Sequence, residues 1–285
     1  MAKTVAVSTA RYINYPSGEF SARSITADAV VFDVPTAEGF MRGASIMQNG
    51  KKAMLAVVPF LLNARADKPG NYDVTITMKL LDYVAQRIVV FDPHNAPLVL
   101  KQGTERDKVW VVTPLDILSV FANPVWDARL QDFTAVVAPD KGAVERAGAV
   151  ARWLGLPLYT GEKVRDQATG RIMRYQFDAP AGADMSNVLV VDDICDGGGT
   201  FALLRDNLPG KATLYVTHGL FTGAAEREHN LSGYDLVVTT DTHPRATTDI
   251  GTDKIVLPAV STFVAYWQQG NKELHNTITD TTQGE

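Results

Sequence analysis

The densest run of chemistry-bearing residues in the chain is Val188-Leu-Val-Val-Asp-Asp-Ile-Cys-Asp-Gly-Gly-Gly-Thr200. Four apolar residues with the composition of a buried strand deliver two carboxylates, Asp192 and Asp193. A loop of Asp196, Gly197, Gly198, Gly199 and Thr200 follows. A helix is predicted next, from Phe201 to Leu208, stopped by Pro209 and Gly210. Glycines let a backbone approach a ligand closely, and the amides at a helix start point toward it, which suits a phosphate. Paired carboxylates in front of such a loop suit ribose hydroxyls or Mg²⁺. A ligand-free strand-to-helix turn would explain the glycines but not two acids directly after the strand.

Other polar residues gather where strands are expected to end: Asp92 and His94, Asp140, and His218. Lys163 and Arg165 lie among Gly161, Glu162, Asp166, Gln167, Thr169 and Gly170, which reads as an exposed loop. Cys195 is a bystander, because nothing near it in sequence marks a low-pKa nucleophile.

The elements that must position these residues are short β-branched runs. They are Val5–Ser8, Ala29–Phe32, Met54–Phe60, Arg87–Phe91, Ala135–Ala138, Val188–Val191, Leu214–Thr217, Leu236–Thr239 and Ile255–Leu257. Several are apolar at consecutive positions, as strands buried on both faces of a parallel sheet are. Helical spacing separates many of them, over Thr75–Gln86 and Ala143–Leu154 for example. Strand and helix in alternation predict an α/β fold. In open parallel sheets, ligands bind beyond the carboxyl ends of the strands, where the polar residues above fall. The segment Trp110–Asp127 reads as a junction, giving domains over residues 1–123 and 124–285. The last helix is a candidate to pack back on the first domain.

Bulk properties narrow the classes. The chain has 285 residues, 46% of them apolar and 21% charged, as in a globular protein with a proper core. A formal charge of −5 gives no basic field for nucleic acid or membrane. One cysteine excludes an internal disulfide and a cysteine-rich metal site. No apolar run approaches membrane-spanning length and the start carries no signal-peptide core, so a cytoplasmic protein is expected.

The run from Val188 to Thr200 resembles the phosphoribosyl-pyrophosphate signature shared by type I phosphoribosyltransferases and ribose-phosphate diphosphokinases. Further motifs favour the diphosphokinases. Asn14-Tyr-Pro-Ser-Gly-Glu19 resembles their aromatic-x-Asp-Gly-Glu nucleotide loop, and Val58-Pro-Phe-Leu-Leu-Asn-Ala-Arg-Ala-Asp-Lys68 their Pro-Tyr…Ala-Arg-Gln-Asp-Arg segment. Val90-Phe-Asp-Pro-His94 is similar to their Asp-Leu-His metal motif, and Ala138-Pro-Asp-Lys-Gly142 to Pro-Asp-Ala-Gly-Gly. Lys163-Val-Arg165 is similar to the Lys-x-Arg of their catalytic loop. Thr217-His-Gly-Leu-Phe-Thr-Gly223 is similar to Thr-His-Gly-x-Phe-Ser-Gly. The matches run in family order from about residue 11 to 244.

The resemblance implies two α/β domains of phosphoribosyltransferase type, each a mainly parallel sheet flanked by helices, with the active site between them. It implies an enzyme that transfers the β,γ-diphosphate of ATP to the anomeric hydroxyl of a ribose 5-phosphate group and releases AMP. Lys163 and Arg165 would be the catalytic pair. Asp192, Asp193, Asp196, Gly197, Gly198, Gly199 and Thr200 would bind the ribose phosphate. Tyr15, Ser17, Gly18, Glu19, Arg65 and Asp67 would receive the nucleotide, and His94 and Asp140 the Mg²⁺. Mg²⁺ keeps several waters and shares substrate phosphates, so two protein contacts suffice. Histidine is an unusual partner for this hard ion, which leaves open a route through a bound water. The partners implied are small molecules and a second copy of the chain, as in a dimer.

The pattern also departs from the family. Ser17 replaces the nucleotide-loop Asp, Ala66 replaces a Gln, and Gly197 replaces the Thr of Asp-Thr-Gly-Gly-Thr. Gly197 removes a hydroxyl from the phosphate loop and opens space. That suits a 5′-substituted phosphate such as ADP-ribose, the acceptor of a phage-encoded branch of the family that rebuilds NAD⁺. Ribose 5-phosphate and ADP-ribose both stand as acceptors. A type I phosphoribosyltransferase and a non-catalytic regulatory relative are the alternatives.

Overall fold

Consecutive apolar residues make most strands of this chain, because parallel strands are covered on both faces. The structure, a computed structural model, describes residues 3–7, 12–17, 19–22, 27–49, 55–66, 70–102, 108–120, 124–165 and 172–270. It divides into two units. The first holds Met1–Asp116, Thr242–Pro244 and Ala259–Glu285, and the second Ile117–Asp241 and Arg245–Pro258.

In the first unit the chain runs through β1 (Val5–Val7), β2 (Tyr12–Asn14), β3 (Phe20–Ala22), β4 (Ala29–Val31) and α1 (Ala37–Asn49). It continues with β5 (Leu55–Val58), α2 (Asp73–Val84), β6 (Arg87–Phe91), α3 (Ala96–Leu100) and β7 (Val109–Val112). Five strands pair in parallel in the order β1-β4-β5-β6-β7, while β2 and β3 form an antiparallel hairpin. On α2, Val74, Thr77, Met78 and Leu81 are buried, the i, i+3, i+4, i+7 stripe that faces a core. Met78 and Leu81 join Val30, Val58, Ile88, Val90 and Val111 in one cluster. Full burial of each such aliphatic side chain contributes about 1.5–3 kcal/mol.

The junction expected around Trp110 holds strand β7, whose four residues are all buried. Its Trp and β-branched residues fit the pleated edge of the sheet beside β6.

The second unit contains α4 (Pro114–Val120, entered from the first unit), α5 (Pro124–Leu130), β8 (Ala135–Ala138), α6 (Val144–Leu154), β9 (Leu158–Arg165) and β10 (Ile172–Phe177). β11 (Asn187–Cys195), α7 (Gly199–Arg205), β12 (Lys211–Gly219), α8 (Ala224–Leu231), β13 (Leu236–Thr240) and β14 (Lys254–Leu257) complete it. The final helix, α9 (Ala259–Gln269), belongs to the first unit, where Phe263 meets Phe91 edge-on at 5.7 Å.

The second sheet has the order β10-β9-β8-β11-β12-β13-β14. Every pair is parallel except β9 with β10. From β8 the chain moves outward to β9 and β10, then returns to lay β11 on the other side of β8. The direction of winding therefore reverses between β8 and β11. Open parallel sheets bind ligands at such a reversal, outside the carboxyl ends of the strands.

Candidate active site

Asp192 and Asp193 lie on β11 itself rather than just past its end. The strand outruns β8, which pairs with it at Val188–Val190, because β12 continues the ladder on the other side. Asp192 stands opposite Val216, and Cys195 opposite Gly219. The two carboxylates are adjacent on the strand and interact directly with one another. Asp193 is buried, with its Oδ2 3.7 Å from a guanidinium nitrogen of Arg146 on α6. Asp192 is half-buried and its Oδ1 accepts from the backbone amide of Asp193 at 2.9 Å. Burial first, then the Asp193 carboxylate, push the Asp192 carboxyl well above its ordinary range, and the Arg146 guanidinium only partly offsets them.

The loop after β11 is fastened from two directions. Leu220 and Phe221 both donate their amides to the carbonyl of Cys195, and the Thr222 amide donates to the carbonyl of Asp196 at 3.1 Å. Asn230 of α8 donates its side-chain amide to the Gly197 carbonyl at 2.7 Å. Gly198 has φ +80°, and a Cβ there would stand 3.0 Å from Asn230 Cβ, so both conformation and space demand glycine. Gly197 differs. A Cβ there would meet nothing nearer than the carbonyl and hydroxyl oxygens of Thr222, each at 3.9 Å. Position 197 thus has room for a side chain that this sequence lacks.

The helix predicted from Phe201 starts earlier, at Gly199, and ends at Arg205, with Gly198 as its N-cap. Thr200 is half-buried in its first turn. Cys195 is buried, and desolvation, then the carboxylates of Asp196 and Asp192, push its thiol up to about 12. It is inert as a nucleophile. His218 is buried on β12, opposite Ile194.

Asp140 follows β8, the neighbour of β11. It caps the short 3₁₀ turn Lys141–Ala143, its Oδ1 accepting from Gly142 N at 3.0 Å. Lys163 and Arg165, expected in an exposed loop, stand on the last residues of β9. Lys163 pairs with Tyr175 and Arg165 with Ile172. Their side chains lie outside the described residues. The strand persists because the antiparallel partner β10 supplies Tyr175, which is buried, and Phe177, half-buried.

In the first unit, Tyr15, Ser17 and Glu19 sit at the tip of the β2–β3 hairpin, all exposed. Tyr15 N donates to Glu19 O at 2.9 Å, and Ser17 Oγ donates to Glu19 Oε2 at 2.9 Å. A serine here can donate to the Glu19 carboxylate, where an aspartate would repel it. Arg65 is exposed on the turn after β5, and His94 is exposed in the turn after β6. Gly18 and Asp67 lie outside the described residues. His94 belongs to the first unit and Asp140 to the second.

Magnesium, the ion implied by the sequence resemblance, fits this donor chemistry. The oxygens of Asp140, Asp192 and Asp193 are hard ligands of the kind this ion prefers. Among the described residues no three His, Cys, Asp or Glu side chains form a cage. An ion held by one or two carboxylates and by substrate phosphates needs no such cage.

Two polar partners of the site escaped the sequence reading. Arg146 sits three residues into α6 like any surface arginine, and only the fold turns it onto Asp193. Thr222 donates its hydroxyl to Asp196 Oδ1 at 2.5 Å, and its place in the Thr217–Gly223 motif was the available signal.

Residues 126–246 match the family model of the phosphoribosyl transferase domain. A ribose-phosphate pyrophosphokinase of Pyrococcus furiosus is 31% identical over 201 residues, covering 67% of this chain and 67% of the relative. One from Thermococcus kodakarensis is 34% identical over 206 residues, covering 68% and 69%. The crystal structure of a phosphoribosylpyrophosphate synthetase from Mycobacterium smegmatis matches with a TM-score of 0.73 at 20% identity. That match covers 95% of this chain and all of that one, and it establishes the fold.

Proposed function

The chain belongs to the ribose-phosphate pyrophosphokinase family, and from that premise we propose that it transfers the β,γ-diphosphate of ATP to the anomeric hydroxyl of ribose 5-phosphate, releasing AMP. One observation carries the reading. Two carboxylates and a phosphate-type glycine loop stand together at the winding reversal of the second sheet, beside the strand that leads to Asp140.

In the proposed reaction the anomeric oxygen attacks the β-phosphorus of ATP. The bond from that phosphorus to the bridging α,β-oxygen breaks, AMP leaves with the electron pair, and the hydroxyl proton passes to solvent. Such a step needs alignment and charge neutralisation, not a covalent protein nucleophile. Asp192 and Asp193 accept hydrogen bonds from ribose hydroxyls, and Arg146 keeps Asp193 in place for this. The backbone of Asp196–Thr200 and the Thr200 hydroxyl receive the 5-phosphate. Lys163 and Arg165 stabilise charge on the transferring group. Tyr15, Ser17, Gly18, Glu19, Arg65 and Asp67 receive the nucleotide. His94 and Asp140 would hold Mg²⁺, which when bound with the ATP phosphates neutralises part of their charge.

The test is incubation with ATP, Mg²⁺ and ribose 5-phosphate, without any nucleobase, with the products identified by mass. AMP and a ribose carrying both phosphate and diphosphate are expected. A requirement for a nucleobase would point instead to a phosphoribosyltransferase, and turnover in excess chelator would remove the metal from the reading.

The open space at Gly197 favours a second acceptor, ADP-ribose, whose 5-phosphate carries a substituent and less charge. Competition between the two acceptors, repeated with Gly197→Thr, tests this. The variant should shift kcat/KM toward ribose 5-phosphate by about tenfold, the factor given by ~1.4 kcal/mol. An unchanged ratio excludes Gly197 as the gate.

A further inference from the structure

The loop that follows β12 is held in a conformation its residues would not choose. Phe221 has φ +44°, in the left-handed region that residues with a Cβ avoid, yet its side chain is fully buried. Two arginines hold it there. Arg245 donates from Nε to the Leu220 carbonyl at 2.6 Å and from Nη2 to the Phe221 carbonyl at 2.9 Å. Arg227, on α8 and itself buried, donates from Nη1 to the same Phe221 carbonyl at 3.1 Å and from Nε to the Asp249 carbonyl at 3.0 Å. Guanidinium groups are rigid forks, so these bonds fix direction as well as distance.

The next residue, Thr222, meets Asp196 twice. Its amide donates to the Asp196 carbonyl at 3.1 Å, and its hydroxyl donates to Asp196 Oδ1 at 2.5 Å. A hydroxyl that donates to a carboxylate makes a charge-assisted bond. Strain in a buried loop persists only where its surroundings over-determine it, and it concentrates at functional sites. Here the surroundings are two arginines, and the loop they fix reaches the head of the glycine loop.

We propose that Thr222 is a positioning residue for substrate binding: it latches the Asp196 carboxylate, from a loop braced by Arg227 and Arg245, so that the Asp196–Thr200 backbone is preformed for a ribose phosphate. The inference rests on reading that loop as the phosphate cradle. A carboxylate at the head of an anion-binding loop repels the ligand unless its oxygens are turned aside. The hydroxyl of Thr222 fixes one of those oxygens. Thr222 also borders the vacant space at Gly197, 3.9 Å from where a Cβ would stand, so the latch and the room for a 5-substituent share one wall.

The experiment compares the wild type with Thr222→Val, which keeps the shape and loses the donor, and with Thr222→Ser, which keeps the donor. Thr222→Ala replaces the valine variant if circular dichroism shows the latter unfolded. AMP formation is followed with ribose 5-phosphate varied at saturating ATP and the reverse, with calorimetric titration of ribose 5-phosphate in parallel. Thr222→Val should raise KM and Kd for ribose 5-phosphate by about tenfold, the scale of one lost charge-assisted bond. KM for ATP should stay within about twofold, and Thr222→Ser should match the wild type within about twofold. Unchanged ribose 5-phosphate affinity in the valine variant, or a serine variant equally impaired, overturns the latch. A wild type that binds ribose 5-phosphate without forming AMP counts against the transfer reaction alone, and the latch is then judged from the calorimetry. A wild type that does not bind ribose 5-phosphate overturns both.

Discussion

Replacing Asp192 by asparagine should stabilise the ligand-free protein while abolishing its proposed activity. The carboxyl is pushed well above its ordinary range by burial and by the neighbouring Asp193, with partial relief from Arg146. An acid raised in the folded state favours folding as long as it stays protonated. Its contribution is fully present below the unfolded value, near pH 4, and is lost as pH rises through the folded value. Each unit between the two values costs about 1.4 kcal/mol once ionisation is complete. Asparagine keeps the shape and never ionises, so it escapes that cost. At roughly 2–4 °C per kcal/mol, the resulting gain in Tm is readily measured. The assay is differential scanning calorimetry of metal-free wild type and Asp192→Asn between pH 5 and pH 9, following the transition of the second unit. The difference in Tm should grow with pH and level off at the alkaline end. A pH-independent difference, or a variant less stable than the wild type at pH 9, would refute the claim that Asp192 is held against its own charge.

Three further outcomes are expected. Arg146→Met leaves the buried Asp193 without its guanidinium and should destabilise by about 3–5 kcal/mol in chemical denaturation, with less loss at acid pH. Gly219→Ala would place a Cβ 2.3 Å from Phe221 Cε2 and 2.8 Å from Thr239 Oγ1. Both neighbours are buried, so a cost of at least about 1–3 kcal/mol is expected, read as a lowered denaturation midpoint. Lys163→Ala and Arg165→Ala should each lower kcat about a hundredfold, the scale of losing one charge-stabilising donor, with little change in ATP binding measured by calorimetry. Near wild-type kcat in either variant removes that residue from the mechanism.

The parallel strands were legible because burial on both faces demands unbroken apolar runs. Val188–Val191 and Ala135–Ala138 mark β11 and β8 by composition alone. Their ends were less legible. β11 runs on through Asp192 and Asp193, because the neighbouring β12, not the residues' own polarity, keeps the ladder going. β10 and the end of β9 were hidden for the opposite reason. An antiparallel edge pair needs only one apolar face, so Lys163 and Arg165 disguise the strand that carries them. The candidate site showed itself through the types and spacing of its own residues. Its supporting contacts did not, since Arg146, Arg227 and Arg245 reach their partners only through the fold.

Backbone strain marks three positions close to residues discussed above. Among the described residues, three without a glycine's freedom have positive φ: Asn63 at 61°, Asp92 at 31° and Phe221 at 44°. All three lie beyond the carboxyl ends of parallel strands, after β5, β6 and β12. Arg65 lies two residues after Asn63, His94 two after Asp92, and Thr222 directly after Phe221. Such a backbone costs on the order of 1–3 kcal/mol, although asparagine tolerates it better than aspartate or phenylalanine. Strand ends of this kind are where open sheets bind ligands. Asp92 is also buried. Its amide donates to the Val112 carbonyl at 2.8 Å, so the strained residue is anchored to β7 while the chain turns outward and leaves His94 exposed two residues later. An anchored turn of this kind fixes the backbone ahead of an exposed imidazole without burying it.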